Sequence, residues 1–333
     1  MPKQTVFKLD LDRAYSLIQT IASTRIMVIG DLMIDEFIWG NVNRISPEAP
    51  VPVVSVRKQS FALGGAANVV NNIRALGGEV LVAGVVGKDV MGQQLIEEIK
   101  KSGAKPVAVI KDADRETTLK TRVVAHHQQV VRIDRETVAP LSPEIEARMM
   151  AAVEKNLAHC NALIIEDYAK GVINPKTLHN MIRLARKMGV FISVDPKVFY
   201  PDQYKSVQLL TPNHHEAGSF AGVAVPNGDS LMKIGKKLVK MLNGASILIT
   251  RGEEGMSLFE ANGEITHIPT RAKEVYDVSG AGDTVIGTMT AIIAAGGSIK
   301  EAAAISNYAA GVVVGKVGVA TCSPEELKSA IKE

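Results

Sequence analysis

From residue 25 onward, short runs of consecutive apolar residues alternate with longer stretches in which apolar positions recur every three or four residues. The first pattern belongs to strands covered on both faces and the second to helices with one buried stripe. Their alternation predicts an α/β fold: a mostly parallel central sheet flanked by helices. Strands are expected at 25–30, 80–86, 106–110, 162–166, 190–194, 207–210 and 246–250, and helices at 66–76, 91–102, 143–158, 175–188 and 229–242. The last third adds a hairpin, 256–260 with 265–269, and two adjacent helices rich in alanine and glycine, 282–295 and 300–314.

Two segments, about 36–60 and 117–133, break this rhythm. Both alternate apolar with polar residues, as in Val51-Pro52-Val53-Val54-Ser55-Val56 and Thr121-Arg122-Val123-Val124-Ala125, and neither has a helical pattern beside it. They predict a small separate sheet inserted into the α/β core. A sheet exposed on one face either covers a pocket as a lid or pairs with its copy in a homodimer.

Composition narrows the classes. The chain has 333 residues and 46% hydrophobic content, enough for a sizeable core. Neither a run of about 18 apolar residues nor a leader-like start is present, so the expectation is a cytoplasmic protein with no membrane span. The two cysteines, Cys160 and Cys322, make no disulfide framework. Charge is nearly balanced at +3, and aromatics are only 4%, which gives nucleic-acid binding no basic and aromatic surface. The adjacent pairs His126-His127 and His214-His215 point their side chains apart and do not chelate one metal easily.

The most informative stretch is Asp277-Val278-Ser279-Gly280-Ala281-Gly282-Asp283. Gly280 and Gly282 allow a sharp turn whose backbone N–H groups approach an anion where a helix begins. Asp283 then stands beside that nest, placed to take a proton from an attacking hydroxyl while the helix N-terminus stabilises the transferring group. A plain Gly-rich helix start with an acid in its first turn has the same pattern. The dinucleotide fingerprint fails, because Val285 fills the sixth position and the turn comes late in the chain. The nucleoside-triphosphatase phosphate loop is absent too, since Asp89 follows Gly87-Lys88.

Other candidates end successive strands, where ligands bind in open α/β sheets. Asp31 and Asp35 are placed to accept hydrogen bonds from a polyhydroxylated substrate, and Gly64-Gly65-Ala66-Ala67-Asn68 opens a helix with an amide one turn in. Asn213-His214-His215-Glu216 puts an amide and a carboxylate on one face of a turn. That spacing suits a hydrated Mg²⁺ beside phosphates, and equally a capping box. Thr250-Arg251-Gly252-Glu253-Glu254-Gly255 offers a groove for a nucleotide, and Asp195-Pro196-Lys197 ends a further strand.

Taken in order, these motifs resemble those of the ribokinase (PfkB-type) carbohydrate kinases over essentially the whole chain. Gly64 to Asn68 is similar to the N-terminal signature of that family, 277–283 to its D-x-x-G-A-G-D signature, and Asn213 to Glu216 to its N-x-x-E motif. The resemblance implies a ribokinase-like fold and an ATP- and Mg²⁺-dependent sugar kinase. It implies Asp283 as catalytic base and the amides of Gly280, Ala281 and Gly282 as anion hole. Asp31, Asp35, Gly64, Gly65 and Asn68 would bind the sugar. Asn213, His214, His215, Glu216, Thr250, Gly252, Gly255 and Asn307 would serve the nucleotide, with Glu216 toward the metal.

Residues 44–53, 120–134 and Asp167-Tyr168-Ala169-Lys170-Gly171 further resemble the D-glycero-D-manno-heptose 7-phosphate kinases. That resemblance implies phosphorylation of the anomeric hydroxyl to the 1,7-bisphosphate, for ADP-heptose and lipopolysaccharide core synthesis. Gln129, Arg132, Asp134 and Lys170 would then contact the substrate, with Arg132 and Lys170 holding its existing phosphate. Relatives of this kind often continue into a nucleotidyltransferase domain. The expectation here is one kinase domain over 1–333, with no such domain, pairing as a homodimer through the lid. The alternatives are a kinase for another sugar or sugar phosphate, and a non-catalytic sensor of nucleotide or sugar.

Overall fold

A computed structural model describes residues 7–126, 128–223, 228–272 and 274–332. Its strands are β1 (Arg25–Gly30), β2 (Leu32–Ile45), β3 (Pro52–Gly65), β4 (Glu79–Gly87), β5 (Lys105–Asp112), β6 (Thr118–Ala125) and β7 (Gln128–Arg135). There follow β8 (Ala162–Glu166), β9 (Phe191–Asp195), β10 (Leu209–Leu210), β11 (Ser246–Thr250), β12 (Met256–Phe259) and β13 (Ile265–Ile268). Among the described residues they form a nine-stranded sheet, β13-β12-β11-β10-β9-β8-β1-β4-β5, and a four-stranded sheet, β3-β2-β6-β7.

The large sheet is parallel from β11 to β5, and the hairpin β12-β13 closes it antiparallel at one edge. Its middle strands are apolar throughout because helices cover both faces. In β1 the side chains alternate: Ile26 and Val28 join the core under helices Ala66–Ala75 and Ala281–Ala294, while Met27 and Ile29 join the core on the opposite face with Leu178 and Met181. Both expected late helices are present, as Ala281–Ala294 and Ile299–Val314. The sequence reading lacked the first helix, Leu11–Thr20, and the last, Pro324–Lys332.

The small sheet is the expected insertion, but it is rooted more deeply than 36–60 and 117–133 suggested. β2 follows β1 after a single residue, and its first five residues are buried while its tip is exposed. β3 runs the other way, exposed until Leu63-Gly64-Gly65 enter the core. β7 is exposed along its whole length and forms one edge, with Val130, Val131 and Ile133 open to solvent. His127 lies outside the described residues.

Candidate active site

The carboxyl ends of β8, β9, β10 and β11 converge with the N-terminus of helix Ala281–Ala294 on a cavity of about 220 Å³. Asp283 lies in the first turn of that helix, is 6% exposed and lines the cavity with Gly280 and Gly282. Gly280 has φ +77, and a Cβ there would fall 2.5 Å from Asn68 Nδ2, so the position demands glycine for both conformation and space. Asp277 shapes the turn from its start by accepting the amides of Ser279 at 2.9 Å and Gly318 at 3.2 Å.

Two donors hold Asp283. Tyr168 Oη–H donates to Oδ1 at 2.6 Å, and Asn68 Nδ2–H donates to Oδ2 at 2.6 Å. Asn68 is steadied in turn by Asn72, which accepts from the Thr284 hydroxyl at 2.8 Å and so links the two helices. Burial pushes the Asp283 carboxyl above its ordinary value, while the Tyr168 and Asn68 hydrogen bonds oppose that push and favour the ionised form.

Tyr168 belongs to a tight loop after β8. Ala169 has φ +57 and its amide donates to Asp167 Oδ1 at 2.8 Å, while Gly171 has φ +95 and approaches the Ala139 carbonyl too closely for any Cβ. Asp31 binds the same loop. Its oxygens accept the amides of Tyr168 at 2.9 Å, Lys170 at 3.0 Å and Val172 at 3.2 Å. This corrects the expectation that Asp31 receives sugar hydroxyls: at the buried end of β1 it anchors the loop instead. Arg115, also buried, donates to the carbonyls of Lys170 at 2.8 Å and Thr137 at 3.0 Å, and to that of Ala139.

Asp35 keeps a place near Asp283, on which its charge acts. It pairs with Arg122 across β2 and β6, and Gly64 leaves the room its carboxylate occupies. Gly65, at φ +54, makes the bend into helix Ala66–Ala75. Farther out, Lys170 Nζ meets Glu136 at 2.7 Å, and Lys120 lies between Asp134 at 3.2 Å and Glu136 at 3.6 Å. Arg132 is half-exposed and bonded to Asp134 at 2.9 Å, and Gln129 is exposed, so neither reaches the cavity as described.

Asn213 and Glu216 line the cavity and also form the capping box that their spacing allowed. Asn213 Oδ1 accepts the Glu216 amide at 3.0 Å, and Glu216 Oε2 accepts the Asn213 amide at 3.1 Å. Glu216 Oε1 receives Lys197 Nζ at 3.0 Å, which leaves the group able to reach a hydrated ion through water rather than as a free ligand. His214 and His215 hold their rings 3.9 Å apart between centroids and tilted by 40°, which corrects the expectation that their side chains point apart, and neither lines the cavity. Thr250 lines it, while Gly252 and Gly255, at φ +59 and +81, turn the chain beyond β11.

A second hollow of about 890 Å³ lies between Arg271, which stacks over the Tyr308 ring at 5.1 Å, and Gly311. Asn307, expected on its wall, is buried and donates to the Pro269 carbonyl at 2.7 Å, so it supports the wall from behind. The sequence reading gave no role to Tyr168, Arg115 or Glu166. Tyr168 was visible only as part of a short motif, and Glu166 only as an acid ending an apolar run.

A buried acid held by two donors at a glycine-lined helix N-terminus, under a small sheet, defines a sugar kinase of ribokinase-like fold. The chain belongs to the pfkB family of carbohydrate kinases, which it matches over residues 23–326. It is similar to the bifunctional protein HldE of Pelobacter propionicus, with 45% identity over 95% of this chain, and to that of Geobacter sulfurreducens, with 43% over 94%. The chain spans 65% and 64% of the lengths of those two proteins. In fold it is similar to Arabidopsis thaliana ribokinase complexed with ribose and ATP, with TM-score 0.73 and 17% identity over 93% of this chain and 99% of that one. Escherichia coli phosphofructokinase-2 in complex with potassium gives TM-score 0.74 and 17% identity over 93% and 98%.

Proposed function

We propose that the chain transfers the γ-phosphoryl group of ATP to the anomeric hydroxyl of D-glycero-D-manno-heptose 7-phosphate, giving the 1,7-bisphosphate for ADP-heptose and lipopolysaccharide core synthesis. The observation that carries the reading is Asp283, gripped by Tyr168 and Asn68 at the start of a glycine-lined helix. The similarity to bifunctional HldE proteins supports the choice of sugar.

In this reading the sugar sits against Asp35, Asn68 and the Gly64-Gly65 bend, with its anomeric hydroxyl toward Asp283. Asp283 accepts the hydroxyl proton as the oxygen attacks phosphorus in line. The amides of Gly280, Ala281 and Gly282 and the helix N-terminus receive the charge that develops on the transferring oxygens. Bound Mg²⁺ supplies neutralisation of the phosphate charge, and Asn213 and Glu216 would hold it through its waters. Thr250 and the turn at Gly252 and Gly255 would flank the nucleotide phosphates, and the hollow between Arg271 and Tyr308 would take its base.

Lys170 and Arg132 are the proposed partners of the phosphate that the sugar already carries. Both are paired with acids of the lid root, Glu136 and Asp134, and a phosphate would compete for them. The exposed apolar residues of β7 support pairing of two lids in a homodimer.

The test is ADP release from ATP and Mg²⁺ with the heptose 7-phosphate, run beside fructose 6-phosphate, fructose 1-phosphate, ribose and adenosine. Turnover on the heptose alone is expected. Turnover on another sugar would keep the base and discard the substrate.

A further inference from the structure

Three carboxylates from three elements meet behind the cavity: Glu166 at the end of β8, Asp195 at the end of β9, and Asp283. One oxygen of each lies within 4.8 Å of the others. Asp195 and Asp283 line the cavity, whereas Glu166 is fully buried behind it. Neither Glu166 oxygen has a hydrogen-bond partner among the described residues. Its neighbours are treated differently: Asp31 receives three amides and Asp283 two side-chain donors.

A buried carboxylate is tolerated when a donor, a cationic side chain or a metal fills its lone pairs. Among the described residues no donor reaches Glu166, and Lys197, whose charge acts on Asp195, is turned to Glu216. A proton alone does not resolve the site: one shared with Asp195 or Asp283 would fill one Glu166 oxygen and leave the other without a donor. All three oxygens lie within the about 4–5 Å that separates opposite ligands of one hard cation, so one ion could reach all of them.

We propose that Glu166, Asp195 and Asp283 bind a divalent cation in the nucleotide-free protein, at the buried end of the cavity whose outer side carries Asn213 and Glu216. The ligands are all carboxylate oxygens, the set that Mg²⁺, Mn²⁺ and Ca²⁺ accept. Burial pushes the Glu166 and Asp195 carboxyls up; the charges of Asp195 and then Asp283 add to that push at Glu166, and those of Glu216 and then Asp283 add to it at Asp195. A cation among them relieves this repulsion and lets Asp283 stay ionised. Only that last consequence rests on the kinase reading.

The experiment titrates Mn²⁺ into the full chain without nucleotide and follows free Mn²⁺ by electron paramagnetic resonance. One ion per chain is expected, displaced by excess Mg²⁺. Glu166→Gln and Asp195→Asn should each weaken binding by about tenfold or more, and Glu216→Gln, which removes a neighbouring charge but no ligand, by clearly less. Circular dichroism checks that each variant is folded, and the wild-type titration stands whatever the variants do. Absence of Mn²⁺ binding without nucleotide overturns the site, as does binding that survives in Glu166→Gln and fails in Glu216→Gln. ADP release on the same wild-type preparation reports separately on the kinase reading.

Discussion

The hydroxyl of Tyr168 lies 2.6 Å from Oδ1 of Asp283, across 115 residues of chain, and donates a hydrogen bond to it. That bond favours the ionised carboxylate in a place where burial disfavours it. Removing it in Tyr168→Phe therefore raises the pKa of Asp283, and the base form is reached only at higher pH. A hydrogen bond to a charged group is stronger than one to a neutral group, so the acidic limb of the pH profile of kcat should move to higher pH. Rate should recover toward wild type above the shifted limb. A profile of unchanged shape would leave Tyr168 with a packing role only.

Asp283→Asn keeps the volume and removes the proton acceptor. Turnover should fall by about a hundredfold to ten-thousandfold, with nucleotide affinity and thermal unfolding near wild type. Calorimetric binding of a non-hydrolysable ATP analogue separates the two, and near wild-type turnover would remove the base assignment.

Gly280→Ala meets two obstacles, a left-handed φ of +77 and the Asn68 amide at 2.5 Å. The conformational strain costs about 1–3 kcal/mol of stability, which urea unfolding measures. Displacing Asn68 also loosens one of the two donors on Asp283, so kcat should drop as well. Gly282→Ala provides the contrast: the nearest atom to an added Cβ is 4.0 Å away, and stability should change little.

Ile133 is 53% exposed and Val131 46% exposed on edge strand β7. If two lids pair, Val131→Asp with Ile133→Asp should convert a dimer to a monomer in light scattering without lowering the unfolding temperature of the core. A monomeric wild type would refute the pairing.

Much of the fold was legible because the strands that build it are buried on both faces. Ile26 to Ile29 and Ala162 to Ile165 read as unbroken apolar runs, and the structure puts strands there. Boundaries moved by a residue or two, and β10 shrank to Leu209–Leu210 because Val207 still closes the turn after helix Pro201–Tyr204, its amide donating to the Tyr204 carbonyl at 3.2 Å. The helix Leu11–Thr20 did carry a signal, with Asp10 as its cap and Ala14, Leu17 and Ile18 as its buried stripe, yet the charges around it masked the period.

At the site, the glycines and Asp283 were legible because the chemistry is local: a turn, an amide nest and a helix start lie within seven residues. The role of Asp31 was not. Its partners lie at 168–172, and only the pairing of β1 with β8 brings that loop to it. Tyr168 and Glu166 were hidden for the same reason, since a contact across sheet order leaves no trace in spacing along the chain.

β2 carries one further implication. The strand that begins in the core at Leu32 is the one that ends in solvent at Ile45, with register shifts after Trp39 and after Val42. Because side chains alternate along a strand, a one-residue insertion at those shifts would exchange the inward and outward faces of the tip while leaving the base near Asp35 untouched. The face that the lid's tip presents is thus separable from the residues around Asp283 by the smallest of genetic changes.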